Sequence, residues 1–207
     1  MEEDAGKLVH DPLNDLTLVD YNRCGVPLIE IVSAPDMRSA EEVIAYLKKL
    51  RLILKYLGVS DCKMQEGSLR ADINLSVRET GAEEFGTRTE MKNMSSFKAI
   101  ARAVAGERKR QIDVLSSGGR IVQETRRWDE SENKSISMRT KEDAHDYRYF
   151  PEPDLVPLEI TEEWIKEIKA REPELRDAKM ARYEREFGIP AYDAAIITGA
   201  KKMTDIF

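Results

Sequence analysis

The sequence predicts an α+β fold, in which an antiparallel sheet with flanking helices is followed by the start of a helical domain. Segments of alternating or β-branched residues recur up to about residue 140, which is typical of strands. Two long segments with apolar residues at helical spacing lie between them,. From about residue 161 the chain is charged and helical in pattern. We therefore expect two domains, residues 1–160 and 161–207.

The first predicted strand covers residues 25–33 (GVPLIEIVS), and its alternation places Glu30 on one face with apolar neighbours on both sides,. A helix follows. Ser39 and Glu42 have the spacing of a capping box at its start, and Gly58 supplies the stop,.

The next two segments predict an antiparallel hairpin with one apolar and one polar face. Residues 69–78 alternate strictly, and residues 86–93 form the second strand,. The polar face carries Arg70, Asp72, Asn74, Ser76, Arg78, Arg88, Glu90 and Lys92. Such a face suits a polyanion with its metal, because basic groups bind phosphates and carboxylates bind Mg²⁺. An ordinary solvated sheet face has the same pattern, so both interpretations stay open.

A second helix is predicted from Ser95 or Ser96 to the glycines at 118 and 119, and strands are predicted at residues 121–128 and 135–139. Its expected inner stripe is Phe97, Ile100, Ala101, Val104, Ile112 and Leu115,. Basic residues that might together face phosphate are Arg102, Arg108, Lys109, Arg110, Arg126 and Arg127. Glu107 and Asp113 dilute this patch, so a solvated helix face is the alternative.

Composition excludes several classes of protein. With 33 Lys and Arg against 39 Asp and Glu, the net charge of -6 excludes a chain that binds nucleic acid through overall basicity,. No stretch approaches the roughly 18 apolar residues of a membrane span, so we expect no membrane partner. The two cysteines form no zinc or disulfide pattern, which favours the cytoplasm or an organelle matrix,. The absence of GxxxxGK[ST], GxGxxG and GxSxG disfavours a phosphate loop and nucleophilic hydrolysis.

Two groups of acidic residues are candidate metal ligands. Glu30 lies among apolar residues, where an unpaired buried carboxylate would protonate, so a metal, an arginine or a pocket mouth is expected beside it. An edge-strand glutamate in water is the alternative. Glu2, Glu3 and Asp4 are either Mg²⁺ ligands or solvated residues of a chain end,.

Residues 20–33 (DYNRCGVPLIEIVS) strongly resemble the signature of the B subunit of aspartyl/glutamyl-tRNA amidotransferases, the GatB family. The other matching segments occur in the family order. They are residues 1–7 (MEEDAGK), 66–72 (EGSLRAD), 84–93 (EFGTRTEMKN), 123–127 (QETRR) and 146–154 (DYRYFPEPD). Together they extend over essentially the whole chain.

The resemblance implies a core similar to glutamine synthetase and the guanido kinases, in which a sheet forms the floor of a phosphoryl-transfer site. It also implies a reaction. With ATP and Mg²⁺, the GatB protein phosphorylates the side-chain carboxylate of Glu-tRNA(Gln), of Asp-tRNA(Asn), or of both. Ammonia released from glutamine by the amidase subunit (A) then displaces the phosphate. The partners implied are that subunit, the small subunit (C) and the misacylated tRNA.

The resemblance also implies roles for residues. Glu30, with Glu2 or Glu3, would bind the metal. Nucleotide or acceptor-end contacts are expected from Glu66, Arg70, Asp72 and Lys92, and the residues expected to act in catalysis are Glu30, Arg70 and Lys92. The family's GLEVH-type strand and its tail domain have no counterpart in this sequence, so we expect a partial chain that is inactive alone. The alternative is a non-catalytic tRNA-binding or assembly module.

Overall fold

The structure, a computed structural model, describes residues 2–11, 13, 14, 16–140, 154 and 156–207. Residues 146–153 of the DYRYFPEPD segment therefore lie outside the described residues. The chain divides into two compact units, Met1–Met37 and Arg38–Phe207, and the domain boundary near residue 160 stays a prediction. Among the described residues, no helix has both the length and the apolar character needed to cross a membrane.

The first unit contains four short strands in two antiparallel pairs. Strand β1 (Glu2–Glu3) pairs with β4 (Pro27–Leu28), and β2 (Lys7–Asp11) pairs with β3 (Leu16–Asp20). The strand predicted over residues 25–33 is wrong for most of its length. Its partner β1 offers only two residues to pair with, so the ladder ends after Leu28.

Helix α1 (Ala40–Leu57) opens the second unit and has both predicted ends. The Ser39 hydroxyl accepts a hydrogen bond from the Glu42 amide at 3.2 Å. The Glu42 carboxylate accepts from the Arg38 amide, one residue earlier than in a standard capping box,. Gly58 ends the helix at a φ of 73°, a left-handed conformation that glycine adopts without steric cost,.

Four strands form the sheet of the second unit, in the order β5 (Ile73–Leu75), β6 (Thr89–Lys92), β7 (Glu124–Asp129), β8 (Lys134–Thr140). The β5–β6 and β7–β8 pairs are antiparallel, as predicted. The β6–β7 pair is parallel, so the sheet is mixed and the expectation of an antiparallel sheet is wrong at this pair. The reason is the connection, because helix α2 (Phe97–Ser116) lies between these strands and a helical crossover permits parallel pairing,.

Strand β5 is shorter than predicted, but its alternation is confirmed. Only three residues pair with β6, which itself has four. The exposed side chains of residues 69–75 are Arg70, Asp72 and Asn74, and the half-buried ones are Leu69, Ala71, Ile73 and Leu75. The predicted polar and apolar faces are therefore present along this segment.

Helix α2 begins at the predicted place, where the Ser96 hydroxyl accepts from the Ala99 amide at 3.0 Å. The predicted inner stripe is right at two positions, Ile100 and Val104. It is wrong at Ile112 and Leu115, which are 38% and 43% exposed. The buried face instead follows a row with a spacing of four residues, namely Ala99, Ala103, Glu107 and Gln111.

Glu107 is fully buried at the centre of a polar cluster, so its predicted place on a solvated basic surface is wrong. Its carboxylate accepts hydrogen bonds from the Thr89 hydroxyl at 2.8 Å and the Ser135 hydroxyl at 2.6 Å. The Arg110 guanidinium donates at 2.6 Å and the Gln111 amide at 3.1 Å. These contacts join α2 to strands β6 and β8.

Arg126 extends the cluster under the sheet. Its Nε lies 3.5 Å from a Glu107 oxygen and donates to the Ser135 hydroxyl at 2.8 Å. Its Nη1 pairs with the Glu124 carboxylate, which also accepts from the Ser137 hydroxyl. Burial alone would raise the pKa of Glu107, but the hydrogen bonds, first that from Arg110, outweigh burial and lower the pKa to about 2,.

The chain from residue 161 onward is helical, as predicted. The helices are α3 (Glu162–Ala170), α4 (Arg176–Phe187), α5 (Ala191–Ile197) and α6 (Lys201–Thr204). Helix α4 contacts α1 and α5. The buried Tyr56 hydroxyl of α1 donates to the Thr198 carbonyl at 2.7 Å, which ties this helical segment to α1.

We expect the Glu107 carboxylate to make stability depend on acid. Its folded pKa of about 2 lies below the ordinary 4.5, so its contribution is complete above about pH 4.5 and is lost as the pH falls towards 2. That contribution is about 3 kcal/mol. In urea unfolding at a series of pH values, Glu107→Gln should be less stable at pH 7 and lose less stability on acidification than wild type.

The control for this experiment is Asp113→Asn, which removes an exposed acid of the same helix that pairs with Lys109. It should keep the wild-type acid dependence. An equally steep loss of stability in Glu107→Gln would contradict the assignment.

We expect Gly86→Ala to destabilise the second unit. A Cβ at Gly86 would clash with the backbone carbonyl oxygen of Val77, and backbone cannot move aside as a flexible side chain can. Overpacking of this kind costs about 1–3 kcal/mol, measurable as a lower midpoint of urea unfolding. Glu84→Ala, at an exposed position of the same loop, should change the midpoint little, and equal effects of both variants would refute the clash.

Candidate functional site

The candidate site is the face of the sheet opposite α2, here called the polar face. Because neighbouring strand residues point to opposite faces, Glu90 and Lys92 point away from the side on which Thr89 contacts α2. The residues of the polar face are Arg70, Asp72, Asn74, Glu90, Lys92, Thr125 and Arg127.

Lys92 lies between two carboxylates on this face. Its ammonium is 2.7 Å from the Asp72 carboxylate and 3.3 Å from that of Glu90. Partial burial would lower the pKa of Lys92, but the hydrogen bond to Asp72 and the charge of Glu90 outweigh it and raise the pKa,. The structure thus brings together two of the sequence-predicted site residues, Asp72 and Lys92, and the ammonium is charged at neutral pH.

Glu90 links the two parallel strands on the polar face. One of its carboxylate oxygens accepts from the Thr125 hydroxyl at 2.9 Å, and the other lies near Lys92. The sequence placed Glu90 on the polar face but did not single it out, and Thr125 was missed. The only signal for Thr125 is the parallel register that sets it opposite Glu90, and local alternation does not reveal register between distant segments.

Adjacent arginines of β7 have different environments, so the predicted joint patch of Arg126 and Arg127 is wrong. Arg126 points under the sheet to Glu124 and Glu107. Arg127 lies on the polar face opposite Lys92 in the parallel register, with its side chain 45% exposed. Strand geometry explains the split, because consecutive side chains alternate between faces.

Glu66 and Arg70 belong to the loop that leads into β5. The Lys63 ammonium lies 2.9 Å from both carboxylate oxygens of Glu66. The Arg70 Nε is 3.5 Å from the Gly67 carbonyl oxygen. Glu66 is thus held by a neighbouring lysine, and its contact with a nucleotide stays a prediction.

The three predicted metal ligands lie in the first unit. Glu2 is opposite Leu28 and Glu3 is opposite Pro27, so the two glutamates point to opposite faces of their ladder,. Glu30 is exposed, and its neighbour Ile29 is 60% exposed. Of the two interpretations of Glu30, the structure favours the carboxylate in water, and its role as a ligand stays a prediction.

The donor set fits a magnesium ion that arrives with a nucleotide better than one held by protein alone. In the part of the chain that the structure describes, no three His, Cys, Asp or Glu side chains form a metal-binding group. Mg²⁺ in phosphoryl-transfer sites commonly uses one or two carboxylates, several waters and the substrate phosphates. Asp72 and Glu90, on either side of Lys92, are carboxylates of that kind.

Comparison with known proteins identifies the family. Residues 1–166 match the family model described as the GatB/GatE catalytic domain. The chain is 77% identical over 207 residues to a protein of Lachnoclostridium phytofermentans, and 67% identical to one of Agathobacter rectalis. Both relatives are named as the B subunit of an aspartyl/glutamyl-tRNA(Asn/Gln) amidotransferase.

A third protein with that name, from Lachnospira eligens, is 65% identical. The matches cover all of this chain but 43%, 44% and 43% of the three relatives, so the chain spans less than half of their length. The resemblance predicted from the sequence segments is confirmed, and a mixed α and β structure is consistent with it. The chain belongs to the GatB/GatE catalytic domain family.

Proposed function

We propose that this chain is part of the GatB component of a tRNA amidotransferase and performs its ATP-dependent activation step. The substrate is the side-chain carboxylate of Glu-tRNA(Gln), of Asp-tRNA(Asn), or of both. The observation that carries the proposal is Lys92, a charged ammonium between Asp72 and Glu90 on the floor of a sheet. The names of relatives up to 77% identical support the same activity.

The chemistry explains why such a site would bind ATP. A carboxylate oxygen is a poor leaving group, so direct displacement by ammonia is slow. When a carboxylate oxygen bonds to the γ-phosphorus of ATP, the bond to the β–γ bridging oxygen breaks and ADP leaves. The nitrogen of ammonia then bonds to the carbonyl carbon, inorganic phosphate leaves, and a proton passes from nitrogen to phosphate or water. Two easier steps replace one difficult step.

The polar face would bind the nucleotide. The Lys92 ammonium and the Arg70 guanidinium would contact phosphate oxygens, where positive charge stabilises the negative charge of the transition state. Asp72 would orient Lys92, since it lies directly across the hairpin from it at 2.7 Å. Glu66 is assigned to the nucleotide or the acceptor end on the family resemblance.

Metal ligands are assigned on the family resemblance to Glu30 with Glu2 or Glu3. Mg²⁺, when bound, would neutralise charge on the transferring phosphoryl group. Carboxylates are the hard oxygen ligands that this ion prefers. The exposed position of Glu30 leaves its carboxylate accessible to such an ion.

We further propose that residues 1–160 form the catalytic core and residues 161–207 begin a helical domain. The partners would be the amidase subunit, which supplies ammonia from glutamine, the small subunit, and the misacylated tRNA. Experiments on activity therefore use the assembled amidotransferase, with each substitution introduced into its GatB component.

Nucleotide binding separates this proposal from a module that only binds tRNA. An activating protein should bind ATP with an affinity that depends on Mg²⁺. A tRNA-binding module should be indifferent to ATP, and its affinity for tRNA should fall steeply with salt because phosphate contacts release counterions.

We expect Lys92→Met to lower kcat/KM for ATP by at least about 100-fold, because the substitution removes a charge aimed at the phosphates. The measurement is ADP formation that depends on Glu-tRNA(Gln). Glutaminase activity should persist, because the substitution lies outside the amidase subunit. Lys98→Met, at an exposed position of α2, is the matched control, and equal kinetics of the two variants would contradict a phosphate contact by Lys92.

We expect Glu30→Gln to lower the rate of ATP-dependent activation by at least about 100-fold, because the variant loses an anionic metal ligand. Added Mg²⁺ should restore part of the rate, and binding of tRNA should be retained. Glu41→Gln, at an exposed position of α1, should behave as wild type. An unchanged Mg²⁺ dependence in Glu30→Gln would remove Glu30 from the metal site.

A further inference from the structure

Strand β7 presents an arginine to the polar face that neither the resemblance nor the sequence pattern assigned to the nucleotide. Arg127 extends from this face with its side chain 45% exposed, and its ion-pair contact is with Asp129 at 3.6 Å. That separation is too long for a hydrogen bond. The neighbouring Arg126, only 11% exposed, is held by Glu124 and Ser135 beneath the sheet. Arg126 thus has a structural role that Arg127 does not share.

Asp129 is engaged by the turn that follows it. One of its oxygens accepts from the Ser131 hydroxyl at 2.6 Å, the Ser131 amide at 3.0 Å and the Glu132 amide at 3.1 Å. The hydrogen bond from the Ser131 hydroxyl is the main cause of a lowered pKa of Asp129. The geometry indicates that this carboxylate serves the turn, and a guanidinium with five N–H groups keeps donors for a ligand.

The charge balance around Lys92 calls for a further cation. Lys92 carries one positive charge, whereas Asp72 and Glu90 beside it carry two negative ones. A polyphosphate approaching these three groups would meet net repulsion. Arg127 is next to Lys92 in the parallel register and on the same face, so its charge neutralises the group on the β7 side.

We propose that Arg127 binds a phosphate group of the nucleotide, next to Lys92. The inference rests on the proposed function and adds to it the residue that contacts phosphate from β7. A planar guanidinium can donate two parallel hydrogen bonds to one phosphate, which a lysine cannot do. A nucleotide fits better than an RNA backbone phosphate, because a nucleotide brings Mg²⁺ that Asp72 and Glu90 attract, whereas they repel a bare phosphate.

The test uses the assembled amidotransferase with Arg127→Gln, Arg127→Lys and the control Arg108→Gln, which changes an exposed arginine of α2. ADP formation is measured against ATP concentration and, separately, against Glu-tRNA(Gln) concentration. Arg127→Gln should raise KM for ATP at least about 10-fold, the usual effect of losing hydrogen bonds to a charged group. Arg127→Lys should give a smaller increase, because it keeps the charge and loses the fork.

Three further results complete the test. KM for Glu-tRNA(Gln) and the melting temperature should stay at wild-type values in both Arg127 variants, and Arg108→Gln should match wild type throughout. An unchanged KM for ATP, or an increase confined to KM for Glu-tRNA(Gln), would overturn the assignment and leave the proposed function intact. A wild-type complex that forms no ADP in response to Glu-tRNA(Gln) would overturn the proposed function together with this inference.

Discussion

The buried carboxylate of Glu107 is the interaction on which the sheet depends. A carboxylate removed from water is stable as an ion only if hydrogen bonds and positive charge replace the lost solvent. Here the replacements come from Thr89 on β6, Arg126 on β7 and Ser135 on β8. Gln111, one turn further along α2, accepts from the Val77 amide, so the chain just beyond β5 is fixed by the same helix face. One row of α2 side chains therefore holds all four strands.

The consequence appears on the other side of the sheet. A strand whose inward residues are fixed also has its outward residues fixed, because the two sets alternate along one backbone. The contacts of Thr89 and Arg126 with Glu107 thus hold β6 and β7 in the parallel register that sets Glu90 opposite Thr125. The polar face has rigid support without any residue of the support reaching it, which is the arrangement that precise positioning of charged groups requires.

Local signals in the sequence were sufficient for some of these features and insufficient for others. The caps at Ser39 and Gly58 set the ends of α1, because capping depends on residues within one helical turn,. The burial of Glu107 could not be predicted, since its partners are distant in sequence and an isolated acid is expected in water. For the same reason Ile112 and Leu115 appeared to be core residues, although the buried row of α2 turns away from them.

The candidate site divides along the same line. Alternation placed Asp72 and Lys92 on one face, and cross-strand pairing brings them within 2.7 Å. The case for Glu30 rests on a family segment instead, because an exposed carboxylate has no geometry of its own that implies a ligand. Two carboxylates around one lysine make a surface that repels a bare anion and accepts an anion that carries a divalent cation. Electrostatics alone therefore selects a metal-bound nucleotide over a free phosphate at this face.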